Sequence, residues 1–479
     1  MVRRFFLDKC NTIIKNSNAN IGLSPVAELN YGKGVSRILL HFDHNEIKKL
    51  VNDKTFANPD KVTYHLKMTN CASIDPKAFY RYIGFSGAEN KRRASSFDIA
   101  IFKLKQHFDA GRGYEHYRDL FKDEKSYDEN GCTWYQSKNG LAWSTGEGAL
   151  NADDFGLQDM CDKYELGEPY EDEHNVFIGM QHFDYGDENL DIDITDYVNE
   201  CLDYDGVQGN FGIGLCFVPR LENAKLSTYE YVGFFTNNTN TVFHPYVEAV
   251  YDEVIDDCRK TFYIGKENRL YLYCNIGGEY ENLDELPTCE VDDVQYPVQQ
   301  ATKGVYYCTI PKDVSFTKNT IKEDVWQNLK YDGVTLDDIT MEFVPLAQNI
   351  FFNIGNEDIR KKKIVPSVYG INSDEKVKQG ELRKVVVDFR KQYTANEREI
   401  TDKAEYRLYM KDGDREVDVY GGYLPVEKMF LENFFNIYTE DLIPTRYYVD
   451  IAVNYNRERL IFKNVLTFDI ADDVTERRV

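Results

Sequence analysis

Apolar and polar residues alternate over short runs from the start of the chain. "SRILLHFD" (Ser36–Asp43), "KVTYHLKMTN" (Lys61–Asn70) and "FDIAIFKLKQHF" (Phe97–Phe108) mix period-two alternation with continuous apolar stretches. "NVFIGMQHF" (Asn175–Phe183), "YEYVGFFTN" (Tyr229–Asn237) and "FHPYVEAVY" (Phe243–Tyr251) continue the series, with Gly, Asn and Asp turns between. Runs of this length and spacing predict a β-sandwich or jelly roll, not parallel βαβ units. The helical signal among them is brief: "GYEHYRDLFKD" (Gly113–Asp123) or "SYDENGCTW" (Ser126–Trp134).

In "LDIDITDYVNECLDYDGVQGNFGIGLCFVP" (Leu190–Pro219) a strand alternates through Leu190, Ile192 and Ile194. Thr195 or Asp196 then caps a turn. Ile194, Val198, Cys201 and Leu202 follow at helical spacing, a face suited to plug the end of a sandwich. Gly212 and Gly214 alternate with Phe211, Ile213, Leu215 and Phe217, which flattens one face of the next strand; the structural use outweighs a ligand platform.

The pattern resets twice. "RLYLYCNIGG" (Arg269–Gly278), "PTCEVDD" (Pro287–Asp293), "KGVYYCTIP" (Lys303–Pro311) and "DITMEFVPL" (Asp338–Leu346) predict a second β unit, with "KEDVWQNLK" (Lys322–Lys330) as a helical or looped crossing. After the basic run Arg360–Lys363, "KVVVDFR" (Lys384–Arg390), "AEYRLYMKDGDREVDVY" (Ala404–Tyr420) and "RYYVDIAVNYNRERLIFKNVLTFDI" (Arg446–Ile470) predict a third. Asp412-Gly413 marks a hairpin, and two long strands are expected to pair around Asn454–Arg457. The expected fold is all-β: a jelly-roll sandwich over 1–258, then immunoglobulin-like sandwiches over 259–362 and 363–479.

Composition narrows the function. A chain of 479 residues with net charge −24 repels phosphate backbones, which excludes general nucleic-acid binding. Its 10 cysteines form no CxxC pair and read as small buried hydrophobes of a reducing compartment. "MVRRFFLDKCNTII" lacks the apolar core of a signal peptide, and no run reaches the roughly 18–20 apolar residues that span a bilayer, so no membrane partner is expected.

Candidate chemistry is sparse. No HExxH, GxSxG, Walker or GxGxxG pattern occurs; "GFSGA" (Gly84–Ala88) misses the elbow spacing. His41, His65 and His107 are expected inside strands as packed residues. From Asp153 to Asp205 the one Lys or Arg is Lys163. Asp153, Asp154, Glu171, Asp172, Glu173, Asp187, Glu188, Asp191 and Asp193 could ligate calcium, but no EF-type spacing orders them, so a solvated acidic face is the expectation and no metal or cofactor is assigned. The most site-like segment is "CTWYQSKNGLAWSTGEG" (Cys132–Gly148), which holds Trp134, Tyr135 and Trp143. Exposed indoles there would stack on sugar or contact another subunit; packed indoles would make the loop a lid over the sandwich end.

Two resemblances follow from these residues. "GVYYCTI" (Gly304–Ile310) resembles the YxC of an immunoglobulin strand F, although Cys289, Cys308 and Trp326 do not come in antibody order. Residues 1–255 resemble a DNRLRE-type jelly roll, through "FLDKCNTII", "SRILLHFD", "WYQSKNGLAWSTGEG", "DIDITDYVN", "NFGIGLCF" and "YVGFFTNNTNTVFHPYVEAVYDE". That module is related to carbohydrate-binding modules and recurs in tailed-phage virions, with immunoglobulin-like domains after it; the Asn-, Asp-, Tyr- and Phe-rich style is similar to that of crAss-like phages. The resemblance implies a non-enzymatic virion protein, assembled in host cytoplasm as a homo-oligomeric ring or collar against portal, neck or tail proteins. The alternative it implies is a carbohydrate-binding receptor module of a tail fibre, with Trp134 and Trp143 as the aromatic pair. An extracellular calcium-dependent adhesin is a third class, set back by the missing signal peptide.

Overall fold

The computed structural model describes residues 2–71, 91–113, 131–203, 210–251, 254–346, 364–391, 403–413, 415–429, 432–455 and 458–471. Strands dominate it, and the chain forms an all-β protein of packed sandwiches. Both helical candidates, Gly113–Asp123 and Ser126–Trp134, fall largely outside the described residues. Two compact units emerge: Arg3–Lys49 with Val62–Val250, and Tyr251–Val479 with Met1–Val2 and Leu50–Lys61.

The first unit has jelly-roll character. Its main path runs Leu190–Asp193, Thr63–Met68, Tyr246–Val250, Val2–Ile14, Ser36–Phe42, Ile213–Phe217, Phe97–Lys103, Phe177–Phe183. Strand Val2–Ile14 turns the corner between the two faces: a register shift between Leu7 and Lys9 bends it. The Leu7 N–H donates to Pro245 O at 3.2 Å, and Cys10 to Ile14 pair with Leu40 to Ser36. Helix Thr195–Asp203 follows Ile194 as expected from spacing, with Ile194, Val198 and Cys201 buried and Leu202 half-buried. Asp193 and Thr195 fix its start: Asp193 Oδ1 accepts the Thr195 N–H at 2.8 Å, and Thr195 Oγ1 accepts the Tyr64 N–H at 2.9 Å.

Gly214 faces the ring of Phe102, where a Cβ would stand 2.2 Å from Cζ, and Gly212 holds φ +113. The flat face predicted for this strand is filled by an aromatic side chain from the neighbouring strand, so it offers no platform. His41 and His65 lie within strands. His107 does not: the strand ends at Lys103, and the imidazole packs edge-on to Phe211 with ring centroids 4.7 Å apart.

The second unit contains two sandwiches. In the first, sheet Asn268–Tyr273, Val305–Ile310, Val298–Thr302 faces sheet Val294–Tyr296, Thr288–Val291, Lys322–Gln327, Ile339–Phe343. Leu270, Leu272, Val291, Tyr306, Ile310 and Trp326 fill the space between. Lys322–Gln327 is a strand, not the helical or looped crossing expected. Its inward positions include Asp324, an acid where period-two reading expects an apolar residue, and that masked the alternation. Residues Leu50–Lys61, expected in the jelly roll, group with this sandwich: Asp53 O accepts the Asn282 amide at 3.1 Å, and Thr55 O accepts the Thr302 hydroxyl at 3.2 Å.

In the second sandwich, sheet Ile364–Tyr369, Leu382–Lys391, Glu432–Tyr438, Glu427–Met429 packs on a six-stranded sheet that includes Lys403–Asp412, Arg446–Tyr455 and Glu458–Ala471. Val385, Val387 and Phe389 alternate inward, and Tyr406 stacks on Phe435 at 4.0 Å between centroids. The hairpin at Asp412-Gly413 and the pairing of Arg446–Tyr455 with Glu458–Ala471 both form. Ile255 O accepts the Lys428 N–H at 2.8 Å and Lys428 O accepts the Asp257 N–H at 3.1 Å, which ties the Ile255–Asp257 segment to strand Glu427–Met429.

Candidate functional site

The aromatic loop Cys132–Gly148 is built into the core of the first unit. Trp134 is 4% and Trp143 6% exposed, and both pack with Leu39, Phe102, Leu150 and Met160. The Trp143 Nε1–H donates to Thr133 O at 2.9 Å, so its polar edge is satisfied internally. Gly148, at φ +74, lies against Trp134: a Cβ there would stand 2.7 Å from Cζ2. Its N–H donates to Trp134 O at 2.7 Å. Tyr135 is half-buried at the rim of the same cluster. Indoles closed over in this way present no face on which a sugar ring could stack.

The loop is held by Arg37, which the sequence did not mark. Its guanidinium is buried and pairs in a fork with Glu222, Nε to Oε1 at 2.9 Å and Nη2 to Oε2 at 2.7 Å. Nη1 donates to Gly148 O at 2.9 Å and Leu150 O at 2.6 Å, and the cation lies 5.2 Å from the Trp134 ring centroid. The Glu222 carboxylate raises the Arg37 pKa against the pull of burial, so the cation persists. One charged fork thus satisfies two loop carbonyls and covers an indole. Arg37 and Glu222 are 185 residues apart, and no spacing rule connects them.

The acidic tract is engaged locally. Asp172 Oδ2 accepts the Val176 and Phe177 N–H groups at 2.8 and 2.7 Å. Glu188 accepts those of Tyr185 and Asp187, and these backbone donors hold its pKa below the usual value despite opposing burial. Asp191 pairs with His65 at 3.0 Å and Lys67 at 3.3 Å. Asp153 and Glu173 are exposed. Among the described residues no group of three His, Cys, Asp or Glu side chains is placed to hold a metal ion.

Two further polar clusters were invisible in the sequence. Asp98, buried, accepts from His182 Nδ1 at 2.7 Å and from Arg220 Nη2 at 2.8 Å. Its hydrogen bond raises the His182 pKa, and Asp184 faces the other ring nitrogen at 3.4 Å. An imidazole with an acid on each nitrogen has no free base to offer a nucleophile. In the second unit, Arg259 pairs with Asp324, whose Oδ2 also accepts the Trp326 indole N–H at 2.7 Å. Burial pushes the neighbouring Asp257 up to about 6 although Arg259 pulls it down. Beside this cluster the thiols of Cys289 and Cys308, one from each sheet, lie 3.1 Å apart. Burial pushes the Cys132 and Cys161 thiols up to about 12, which leaves them weak nucleophiles.

No family model and no curated protein matches the chain. Among solved structures, it is similar to the fibronectin(III)-like modules of Clostridium thermocellum CbhA, at 8% identity over 47% of this chain and 95% of that one, TM-score 0.17. A chimeric titin Z1Z2 tandem aligns at 10% identity over 44% and 93%, TM-score 0.14. A DUF4785 family protein of Legionella pneumophila aligns at 9% identity over 97% and 92%, TM-score 0.16.

Proposed function

We propose that the protein is a non-enzymatic structural component of a tailed-phage virion, packed in multiple copies in a ring, collar or tail accessory layer near the portal–tail axis. The setting rests on the sequence resemblance of residues 1–255. The assembly role rests on one observation: strand Ile339–Phe343 is the outer strand of its four-stranded sheet, and apolar side chains stand exposed around it. Ile339 is 38% exposed, and Ile321, just before the paired strand Lys322–Gln327, is 66% exposed. An open edge carrying apolar residues is a pairing surface that a lone protein ordinarily blunts with charge. The net charge of −24 opposes close approach of acidic faces, so an apolar edge is the more favourable place for contact.

Light scattering and negative-stain images of the purified protein test the reading. The expected result is a concentration-dependent multimer with ring or layer geometry, which Ile339→Lys with Ile321→Lys disperses while the melting transition is retained. A protein that stays monomeric at every concentration and salt, or reproducible glycan turnover lost on changing one carboxylate, refutes it.

A further inference from the structure

Cys289 and Cys308 meet across the first sandwich of the second unit. Cys289 stands on strand Thr288–Val291 of one sheet, in register with Trp326. Cys308 stands on strand Val305–Ile310 of the other, in register with Leu270 and Val298. Both side chains are fully buried free thiols, and their sulfurs lie 3.1 Å apart. Their neighbours are fixed. Leu270, Ile310 and Trp326 belong to the same buried cluster, and the Trp326 indole N–H donates to Asp324 Oδ2, which also accepts from Arg259 Nη2 at 2.9 Å.

A thiol gains little from a second thiol as a hydrogen-bond partner, because S–H is a weak donor and sulfur a weak acceptor. What two thiols in contact share is a reaction. A disulfide holds its sulfurs at about 2.05 Å, so closure from 3.1 Å asks for about 1 Å of approach, the scale of a small side-chain rotation. The bond would join two sheets through residues 19 apart in the chain, and a cross-link closing a loop of that length restricts the unfolded state. We propose that Cys289 and Cys308 form a covalent bridge between the two sheets when the protein meets a small-molecule disulfide such as oxidised glutathione. One cysteine, as thiolate, attacks a sulfur of the reagent and releases the first glutathione thiolate. The other thiolate attacks the protein sulfur of that mixed disulfide and releases the second. Two electrons pass from protein to reagent, and the two cysteine protons end on two glutathione thiols. The contact with Cys308 and burial both hold the Cys289 thiol protonated in the closed sandwich, so exchange starts from a locally opened form. Reducing surroundings keep the pair as thiols, and oxidising ones tie the sheets together, whatever assembly the protein enters.

The test uses the full chain, purified reduced and incubated with oxidised glutathione at mildly alkaline pH, with and without sub-denaturing urea, until the thiol pattern stops changing. Remaining thiols are then alkylated in denaturant and the chain is mapped by peptide mass. The expected result is one linked peptide pair carrying Cys289 and Cys308, lighter by two hydrogen atoms than the separate peptides and formed faster in urea. The melting temperature of the second unit should rise by about 5 °C or more over the reduced protein, the scale for a loop of this length in a unit of this size. Cys289→Ala and Cys308→Ala, made separately, should each abolish the linked pair and the rise. The wild-type map decides the matter even where a variant fails to fold. Recovery of both cysteines alkylated, their linkage to glutathione or to other cysteines, or a bridge that leaves the melting temperature unchanged or lower overturns the proposal.

Discussion

Replacing Glu222 by alanine tests the arrangement around the aromatic loop. The change leaves the Arg37 guanidinium buried beside Trp134 with two carbonyls and no anion. Removing one member of a buried pair costs about 3–5 kcal/mol, mostly the uncompensated charge and not the worth of the pair. Arg37→Ala should cost at least as much, because Gly148 O and Leu150 O lose donors at about 1–3 kcal/mol each while Glu222 stays buried. The double change Arg37→Met with Glu222→Leu should recover most of the loss, since apolar side chains of similar volume replace a buried pair nearly neutrally. The two losses are therefore expected to be far from additive. Urea unfolding followed by tryptophan fluorescence reads this directly, because Trp134 and Trp143 are two of the three tryptophans. With a slope of about 3 kcal/mol/M for a unit of this size, Glu222→Ala should lower the midpoint by about 1 M or more. A shift below about 0.3 M, or single losses that sum to the double, would show that the fork does not hold the loop.

Gly214→Ala forces a Cβ to 2.2 Å from the Phe102 ring and should cost about 1–3 kcal/mol, whereas Gly140→Ala, with nothing within 4 Å, meets only the strain of φ +74 at about 1 kcal/mol; equal melting temperatures for the two would contradict the packing described. Burial pushes the Glu427 carboxyl up to about 8, against nearby positive charge that includes Lys384, from an ordinary 4.5. The folded state therefore holds more protons than the unfolded one between those values, and stability falls as pH rises through that window, by up to about 5 kcal/mol at 1.36 kcal/mol for each pH unit. Glu427→Gln should flatten this part of the pH–stability curve of the second unit, and an unchanged slope would mean the acid is solvated.

Local pattern was enough for the strands. A mostly apolar run marked Ser36–Phe42, period-two alternation marked Leu190–Asp193, long strand runs marked the carboxy-terminal pair, Asp412-Gly413 marked its hairpin, and helical spacing after Ile194 marked Thr195–Asp203. These features depend on residues within a few positions of one another, which is the range a sequence displays. It failed where a polar residue at an inward position had a distant partner: Asp324 reads as a break until Arg259 is beside it. The aromatic loop shows the same limit, because two tryptophans in a Gly- and Asn-rich stretch read alike whether the indoles are out or in. Arg37, Glu222 and Gly148 decide the matter, and they meet only after strands far apart in the chain have paired. Glu427 likewise carries no mark among 81 acids; only the folded strands show that it is one of the buried ones. The sequence by itself determined an all-β chain and where most of its strands lie, since side-chain period sets which face can be buried. The tertiary structure decided which charges are paired, which aromatics are closed in and which acids are buried, because each of these depends on contacts between residues that the chain order does not bring together.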